Sequence, residues 1–134
     1  MSIKRLSIFT ACMILAGCNA ESATNKWQQK APGAYGRYQA TLECGTPPET
    51  GAFQNCRITF ETMNGDAANL QLAQVEGGMP AHGHGLPTMP LLRLQTKGDY
   101  RIDGLKYNMP GAWLLGFKIH GELGQDQIVF DFVI

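Results

Sequence analysis

The sequence predicts an all-β domain built as a sandwich of two sheets, and two observations predict it. From Gly36 onward, short runs alternate apolar and polar residues and are separated by clusters of Gly, Pro, Asn and Asp, as strands and turns do. Beyond Cys18, no segment shows a capped helical period over about ten residues. Alternation gives each strand one buried and one solvated face, which two packed sheets satisfy. A small closed barrel is the second possibility.

The alternating runs define the strands in order. We predict seven, at residues 37–44, 55–63, 69–76, 90–96, 100–107, 113–120 and 127–134. Asn64-Gly65-Asp66 and Lys97-Gly98-Asp99 are turn sequences between neighbouring strands. The sixth strand has the clearest pattern, because Trp113 begins an apolar face that continues at every second residue. About seven strands in roughly 100 residues, with a Trp to bury, favour an immunoglobulin-like sandwich.

The first residues have the organisation of an export signal. A basic start with Lys4 and Arg5 precedes an apolar run that is shorter than the ~20 residues of a membrane-spanning helix. Leu15-Ala16-Gly17-Cys18 follows, and the whole resembles a bacterial lipoprotein signal. The resemblance implies cleavage before Cys18 and attachment of lipid, palmitate included, to this residue. An ordinary secretory signal is the alternative.

These features divide the chain into three parts. We expect a signal peptide at 1–17, a lipidated Cys18 with a flexible tether at 18–35, and the folded domain at 36–134. Trp27 is the one tether residue that we expect to dock on the domain. By resemblance to lipoprotein sorting, Asn19 is compatible with the outer membrane, with the domain facing the periplasm.

The charge of the chain excludes some partners. Cleavage removes Lys4 and Arg5 and leaves nine basic residues against eleven acidic ones. No basic patch for nucleic acid and no polybasic strip for anionic lipid remain. The predicted membrane contact is therefore the lipid anchor alone.

Two cysteines remain for the folded domain, because Cys12 leaves with the signal and Cys18 carries lipid. Cys44 and Cys56 each lie on the apolar face of a predicted strand, and leftover thiols of an exported protein usually pair. We therefore predict a Cys44–Cys56 disulfide. A redox-active or metal-binding thiol pair is the less favoured alternative, because the spacing is not C-x-x-C.

The residues that indicate a chemical function are concentrated between 77 and 90. Met79, His82, His84 and Met89 fall within eleven residues of a loop rich in Gly and Pro, and Met109 lies in another Met-Pro step. In an extended backbone, His82 and His84 project to the same side. Thioether and imidazole donors together suit copper, especially Cu(I). Alternatively, the methionines fill gaps in the packing and the histidines bond loop carbonyls.

Other kinds of site find no support in the sequence. Blue copper needs a thiolate, and a structural zinc site needs more strong ligands than the chain supplies. We find no nucleophile-base arrangement, paired acid motif or phosphate-binding loop, so we expect no enzyme. Asp99, Asp103 and Asp126 are predicted to be turn residues, and His120 a solvated surface residue.

Two segments resemble a known family. The segment from Met79-Pro80 through His82-Gly83-His84-Gly85 to Thr88, followed by residues 99–113 with Tyr107-Asn108-Met109 and Gly111-Ala112-Trp113, resembles the YtkA-like family and the related FixH-like envelope proteins. The resemblance implies a small immunoglobulin-like sandwich at the bacterial envelope, sometimes associated with copper handling or oxidase assembly. His82 stands where many relatives carry Met.

The functional expectation combines the anchor and the loop. We predict a monomeric, non-catalytic, lipid-anchored envelope protein that binds a copper ion through Met79, His82, His84 and Met89, with Met109 in reserve, as a carrier or buffer. The alternative is a metal-free structural or protein-interaction module of the envelope, which contacts an envelope protein through the same loop.

Overall fold

The computed structural model describes residues 26–134, in which the chain forms two antiparallel sheets packed face to face. The predicted signal peptide, Cys18 and Asn19 lie outside these residues. The strands are β1 (Trp27–Pro32), β2 (Tyr38–Cys44), β3 (Cys56–Thr62), β4 (Leu70–Met79), β5 (His84–Gly85), β6 (Leu91–Thr96), β7 (Asp99–Asp103), β8 (Ala112–Gly121) and β9 (Gly124–Val133). One sheet has the order β1-β2-β3-β7-β6 and the other β5-β4-β8-β9. The predicted immunoglobulin-like sandwich is confirmed.

The core lies between the sheets, where the alternating apolar residues meet. Every second residue of β2 and of most of β8 is buried, as the sequence pattern predicts. Phe117 of β8 packs edge-on against Phe60 of the opposite sheet, with ring centroids 5.7 Å apart, and against Phe130 of β9 at 5.9 Å. Each fully buried side chain of this size contributes about 1.5–3 kcal/mol. This contact between sheets holds the sandwich closed.

The predicted tether at 18–35 is wrong for its last part. Residues 27–32 form β1, which pairs antiparallel with β2 from Trp27 opposite Cys44 to Pro32 opposite Gln39. The indole of Trp27 packs edge-on against Phe132 of the other sheet, with centroids 5.6 Å apart. An edge strand needs few apolar side chains because one of its sides meets solvent, and Trp27 supplies most of what β1 buries.

The fifth predicted strand is shorter than expected. The ladder of β7 stops at Asp103, although Leu105 and Tyr107 continue the buried alternation. The chain leaves the sheet after Asp103, and Lys106 and Tyr107 form single bridges with Phe53 and Thr50. Residues beyond Asp103 therefore show alternating burial without being part of a strand, and for this reason the sequence pattern predicted too long a fifth strand.

The predicted disulfide is confirmed. Cys44 and Cys56 lie directly opposite each other on β2 and β3, with Cα atoms 4.1 Å apart, and both are buried. The bond joins neighbouring strands of one sheet, whereas the disulfide of antibody domains joins the two sheets. Closing a loop of this length contributes roughly 3 kcal/mol in the chain-entropy model.

The prediction that Asp126 is a turn residue is wrong. Its side chain is buried, 3% exposed, and its carboxylate accepts hydrogen bonds from the backbone N–H groups of Tyr35, Arg37, Tyr38 and Gln127 at 2.9–3.1 Å. Burial raises the pKa of this carboxyl, but the four hydrogen bonds outweigh burial, so the pKa lies below its ordinary value. Asp126 therefore ties the β1–β2 connection to β9 in the other sheet.

Within residues 26–134 there is no helix with the length and apolar character that crossing a membrane requires.

Candidate metal centre

The predicted metal loop lies at the end of the sandwich where β4 ends and β8 begins, which we call the site end. After Met79, residues Pro80–His82 form one turn of 3-10 helix, and His84 and Gly85 return alongside β4 as β5. Pro80 favours the turn because its φ angle is already suited to the first helical position. Gly83 follows with φ 67°, in the left-handed region, and its N–H donates to the carbonyl of Pro80 at 3.2 Å.

The two histidines are brought together, but by a different backbone from the one predicted. Both are exposed, and their ring centroids are 6.0 Å apart. The expected extended conformation is wrong, because His82 ends the 3-10 turn and Gly83 reverses the chain. The tight turn, and not strand alternation, sets the distance between the rings.

His84 and Met109 make the closest contact between candidate ligands. The imidazole Nδ1 lies 2.9 Å from the carbonyl oxygen of Gly85, and Nε2 lies 3.3 Å from the sulfur of Met109. A carbonyl only accepts, so this hydrogen bond requires the proton on Nδ1. In the neutral ring, the Nε2 lone pair then points at a thioether sulfur.

This spacing fits two ligands of one ion. With a metal–nitrogen bond of ~2.0 Å and a metal–sulfur bond of ~2.3 Å, the observed 3.3 Å corresponds to an N–metal–S angle of about 100°. Such an angle is ordinary for a trigonal or tetrahedral site. The backbone hydrogen bond of Nδ1 is the kind of support that orients a ligating histidine.

Trp113 forms the wall of the centre. Its indole N–H donates to the carbonyl of Met109 at 3.0 Å, and its ring lies edge-on to His84 with centroids 5.9 Å apart. Behind it, Trp113 packs against Tyr107 at 5.0 Å and is itself buried. Trp113 therefore holds the backbone of one candidate ligand and the ring of another.

Met79 lies beneath the surface of the same centre. It is directly opposite His84 in the β4–β5 pair, so both side chains start from the same face of the sheet, with Cβ atoms ~5 Å apart. Its side chain is only 1% exposed, although Met79 stands at a Met-Pro step in a loop-rich part of the sequence. The Met79 methyl group reaches Gly111, where an added Cβ would lie 2.6 Å from it.

Met89 and His120 stand apart from this group. Met89 is 92% exposed, while its neighbour Thr88 is fixed by a hydrogen bond from its hydroxyl to the carbonyl of Gly104. His120 is exposed on β8, as predicted. His84 and Met109 therefore meet beside Trp113, with His82 next to His84 and Met79 buried opposite it.

The candidate ligands are imidazoles and thioethers, with no carboxylate or thiolate among them. Among residues 26–134, no three His, Cys, Asp or Glu side chains are grouped to hold a metal ion. Burial raises the pKa of the Tyr107 phenol behind Trp113, so it stays uncharged at neutral pH. Two imidazoles and two uncharged thioethers suit a soft monovalent ion better than a hard divalent one.

Sequence reasoning missed two parts of this geometry. Nothing in the sequence indicated that the Gly85 carbonyl would orient His84. The bond from Trp113 to Met109 had a weak signal, because the two residues are four apart across a Pro-Gly step that turns the chain back.

The chain enters the domain at the site end. Trp27, the first strand residue, packs against Phe132, and Phe132 is paired with Trp113. At the other terminus, Ile134 exchanges two backbone hydrogen bonds with Gly111. Both ends of the described chain thus lie beside the candidate centre.

Comparisons with known proteins show the fold and no family. No protein-family model matches the chain, and no curated protein matches it either. A solved structure of FetP from uropathogenic Escherichia coli strain F11, produced in the periplasm of E. coli BL21(DE3), superposes with a TM-score of 0.50. The match has 8% sequence identity and covers 81% of this chain and 96% of FetP. The resemblance to YtkA-like and FixH-like proteins stays a prediction.

Proposed function

We propose that this protein binds copper, chiefly Cu(I), as cargo at the site end and acts as a non-catalytic carrier or buffer of the bacterial envelope. The observation that carries the proposal is the 3.3 Å approach of the His84 Nε2 to the Met109 sulfur, with Nδ1 hydrogen-bonded to Gly85. Two electron-pair donors this close together can bind the same soft cation.

The predicted lipid anchor and envelope location belong to the same proposal. They are supported by the signal-like residues before Cys18 and by the disulfide, which is typical of an oxidising compartment. The chain shares its fold with FetP, which was produced in the periplasm. Mass spectrometry of the purified chain tests the anchor, and a mass without lipid on Cys18 would disprove it.

Copper binding is tested by anaerobic titration of the full chain, purified in detergent, with Cu(I). We expect one ion per chain and quenching of Trp113 fluorescence, recorded in a Trp27→Phe background so that Trp113 alone emits. His84→Ala and Met109→Leu each remove one donor and should weaken binding at least about tenfold, since even indirect changes to metal sites cost that much.

His120→Ala is the matched control, because it removes an exposed imidazole outside the centre and should leave the affinity unchanged. Wild-type binding no tighter than about micromolar, or equal binding by His84→Ala, contradicts the proposal.

A groove beside the same loop favours the alternative function, a metal-free interaction module. It has a volume of about 350 Å³ on the outer face of the four-stranded sheet, and Leu114 and Val129 line it with Gly77, Gly116 and Pro80. A metal-free pull-down would distinguish the two functions. An envelope partner lost in Leu114→Asp but kept in His82→Ala, whose imidazole does not line the groove, supports the interaction module.

A further inference from the structure

The candidate ligands differ in how firmly the fold holds them. His84 is fixed by its pairing with Met79 and by the hydrogen bond of its ring to Gly85. Met109 is fixed through its carbonyl, which accepts the indole N–H of Trp113. Met79 is buried in the core, directly opposite His84 in the β4–β5 pair. One imidazole and two thioethers are therefore positioned before any ion arrives.

His82 is held differently. It is exposed at the end of a single 3-10 turn, next to the left-handed Gly83. Its ring centroid lies 6.0 Å from that of His84, which leaves it outside the closest contact and within reach of a shared ion after rotation about its side-chain bonds. His82 is thus an additional donor, available without a change in the sandwich.

We infer that the two oxidation states of copper use different ligands here: Met79, His84 and Met109 bind Cu(I), and His82 joins His84 for Cu(II). The inference rests on the proposed function and concerns which of its candidate ligands bind each oxidation state of copper.

The chemistry of the two ions supports this division. Thioethers are soft donors that select Cu(I), and a set of three positioned donors suits its low coordination number. Cu(II) prefers nitrogen and oxygen donors in a tetragonal arrangement. A second imidazole at an exposed position, with water completing the coordination, supplies the nitrogen and oxygen donors that the thioethers do not.

The test measures both affinities in the full chain. Cu(I) is titrated anaerobically against a chromophoric Cu(I) chelator, and Cu(II) against an amino-acid competitor. His82→Ala should weaken Cu(II) binding at least about tenfold and change Cu(I) binding less than about threefold. Met109→Leu, which keeps the shape of the side chain, should do the reverse. His120→Ala should change neither affinity.

Electron paramagnetic resonance of the Cu(II) form adds a readout independent of affinity. Coupling to two imidazole nitrogens should fall to one in His82→Ala, and the spectrum of Met109→Leu should match the wild type. If His82→Ala weakens the binding of Cu(I) and Cu(II) equally, the two ions do not use different ligands, although the protein still binds copper. Wild-type protein that binds only one ion also overturns the inference, and protein that binds neither overturns the proposed function as well.

Discussion

The side chain of Met79 fits beneath the centre because Gly111 has no Cβ atom. Gly111 has φ 131°, which L-residues rarely adopt, and a Cβ at this position would lie 2.6 Å from the Met79 methyl group. The absence of a side chain at Gly111 therefore leaves space for a candidate ligand from another strand.

Gly111→Ala should destabilise the fold by about 2 kcal/mol, because backbone strain and the collision with Met79 act together. Urea denaturation measures the loss. Gly65→Ala is the control, since Gly65 also has a positive φ, 88°, but has nothing within 4 Å of an added Cβ. Equal losses in the two variants would show that the collision with Met79 has no effect.

Asp126 makes the free energy of unfolding depend on pH in the acid range. Because its pKa is lower in the fold than in the unfolded chain, its contribution is present above the unfolded value, ~3.9, and is lost as the pH falls through the folded value. Asp126→Asn puts an amide donor among four N–H donors and should cost about 2 kcal/mol at pH 7.

The same variant should flatten the decline of the unfolding free energy between neutral pH and pH ~2, followed by chemical denaturation at each pH. Asp103→Asn is the comparison, because the pKa of the partly exposed Asp103 is also lowered, by its hydrogen bond with Arg101, but solvent screens that pair. If the pH dependence of the unfolding free energy flattens in Asp103→Asn and stays unchanged in Asp126→Asn, Asp126 is not the group responsible for it.

At the scale of the element, the sequence predicts strands well where one face is buried continuously. β2 and β8 were predicted within one residue at each end, because alternation between two packed sheets leaves a strong pattern. β1 was missed because Trp27 is its one large apolar residue, so no apolar alternation marks the strand in the sequence. β5 has two residues, too few for any pattern.

The contribution of β1 can be measured at Trp27. Trp27→Ala removes a half-buried indole from Phe132 and should lower the free energy of unfolding by about 2 kcal/mol, less than for a fully buried Trp. Gln28→Ala, on the exposed face of the same strand, should change it by less than ~0.5 kcal/mol. No loss in Trp27→Ala would mean that β1 adds little to the sandwich.

The candidate centre was predictable only in part, for a physical reason. Sequence proximity identified His82 and His84, but the distance from His84 to Met109 depends on how β5 and the β7–β8 connection meet in space. Likewise, the burial of Met79 and the exposure of Met89 follow from their places in the fold, which identical Met-Pro dipeptides do not reveal.

At the scale of the whole molecule, the free edges of the sheets bear on assembly. β4 pairs with β8 on one side but meets only the two-residue β5 on the other, and β6 is the last strand of its sheet. Both strands carry an irregularity in register, between Leu70 and Leu72 and between Leu94 and Thr96. Such irregularities hinder a second chain from adding to an edge.

We therefore expect a monomer in analytical ultracentrifugation of the full chain in detergent, over a wide range of protein concentration. A mass that doubles as the concentration rises would contradict this expectation. In that case, Leu94→Lys, on the exposed edge of β6, should restore the monomer if that edge forms the contact.

The entry of the chain beside the candidate centre has a consequence for where copper can be exchanged. Cys18 precedes Lys26 by eight residues, which reach at most about 28 Å when fully extended. With lipid on Cys18, as proposed, His84 and Met109 would be confined to a thin layer above the bilayer. A partner embedded in that membrane would then meet the site at a high effective concentration, whereas a freely diffusing partner would meet it only at its bulk concentration.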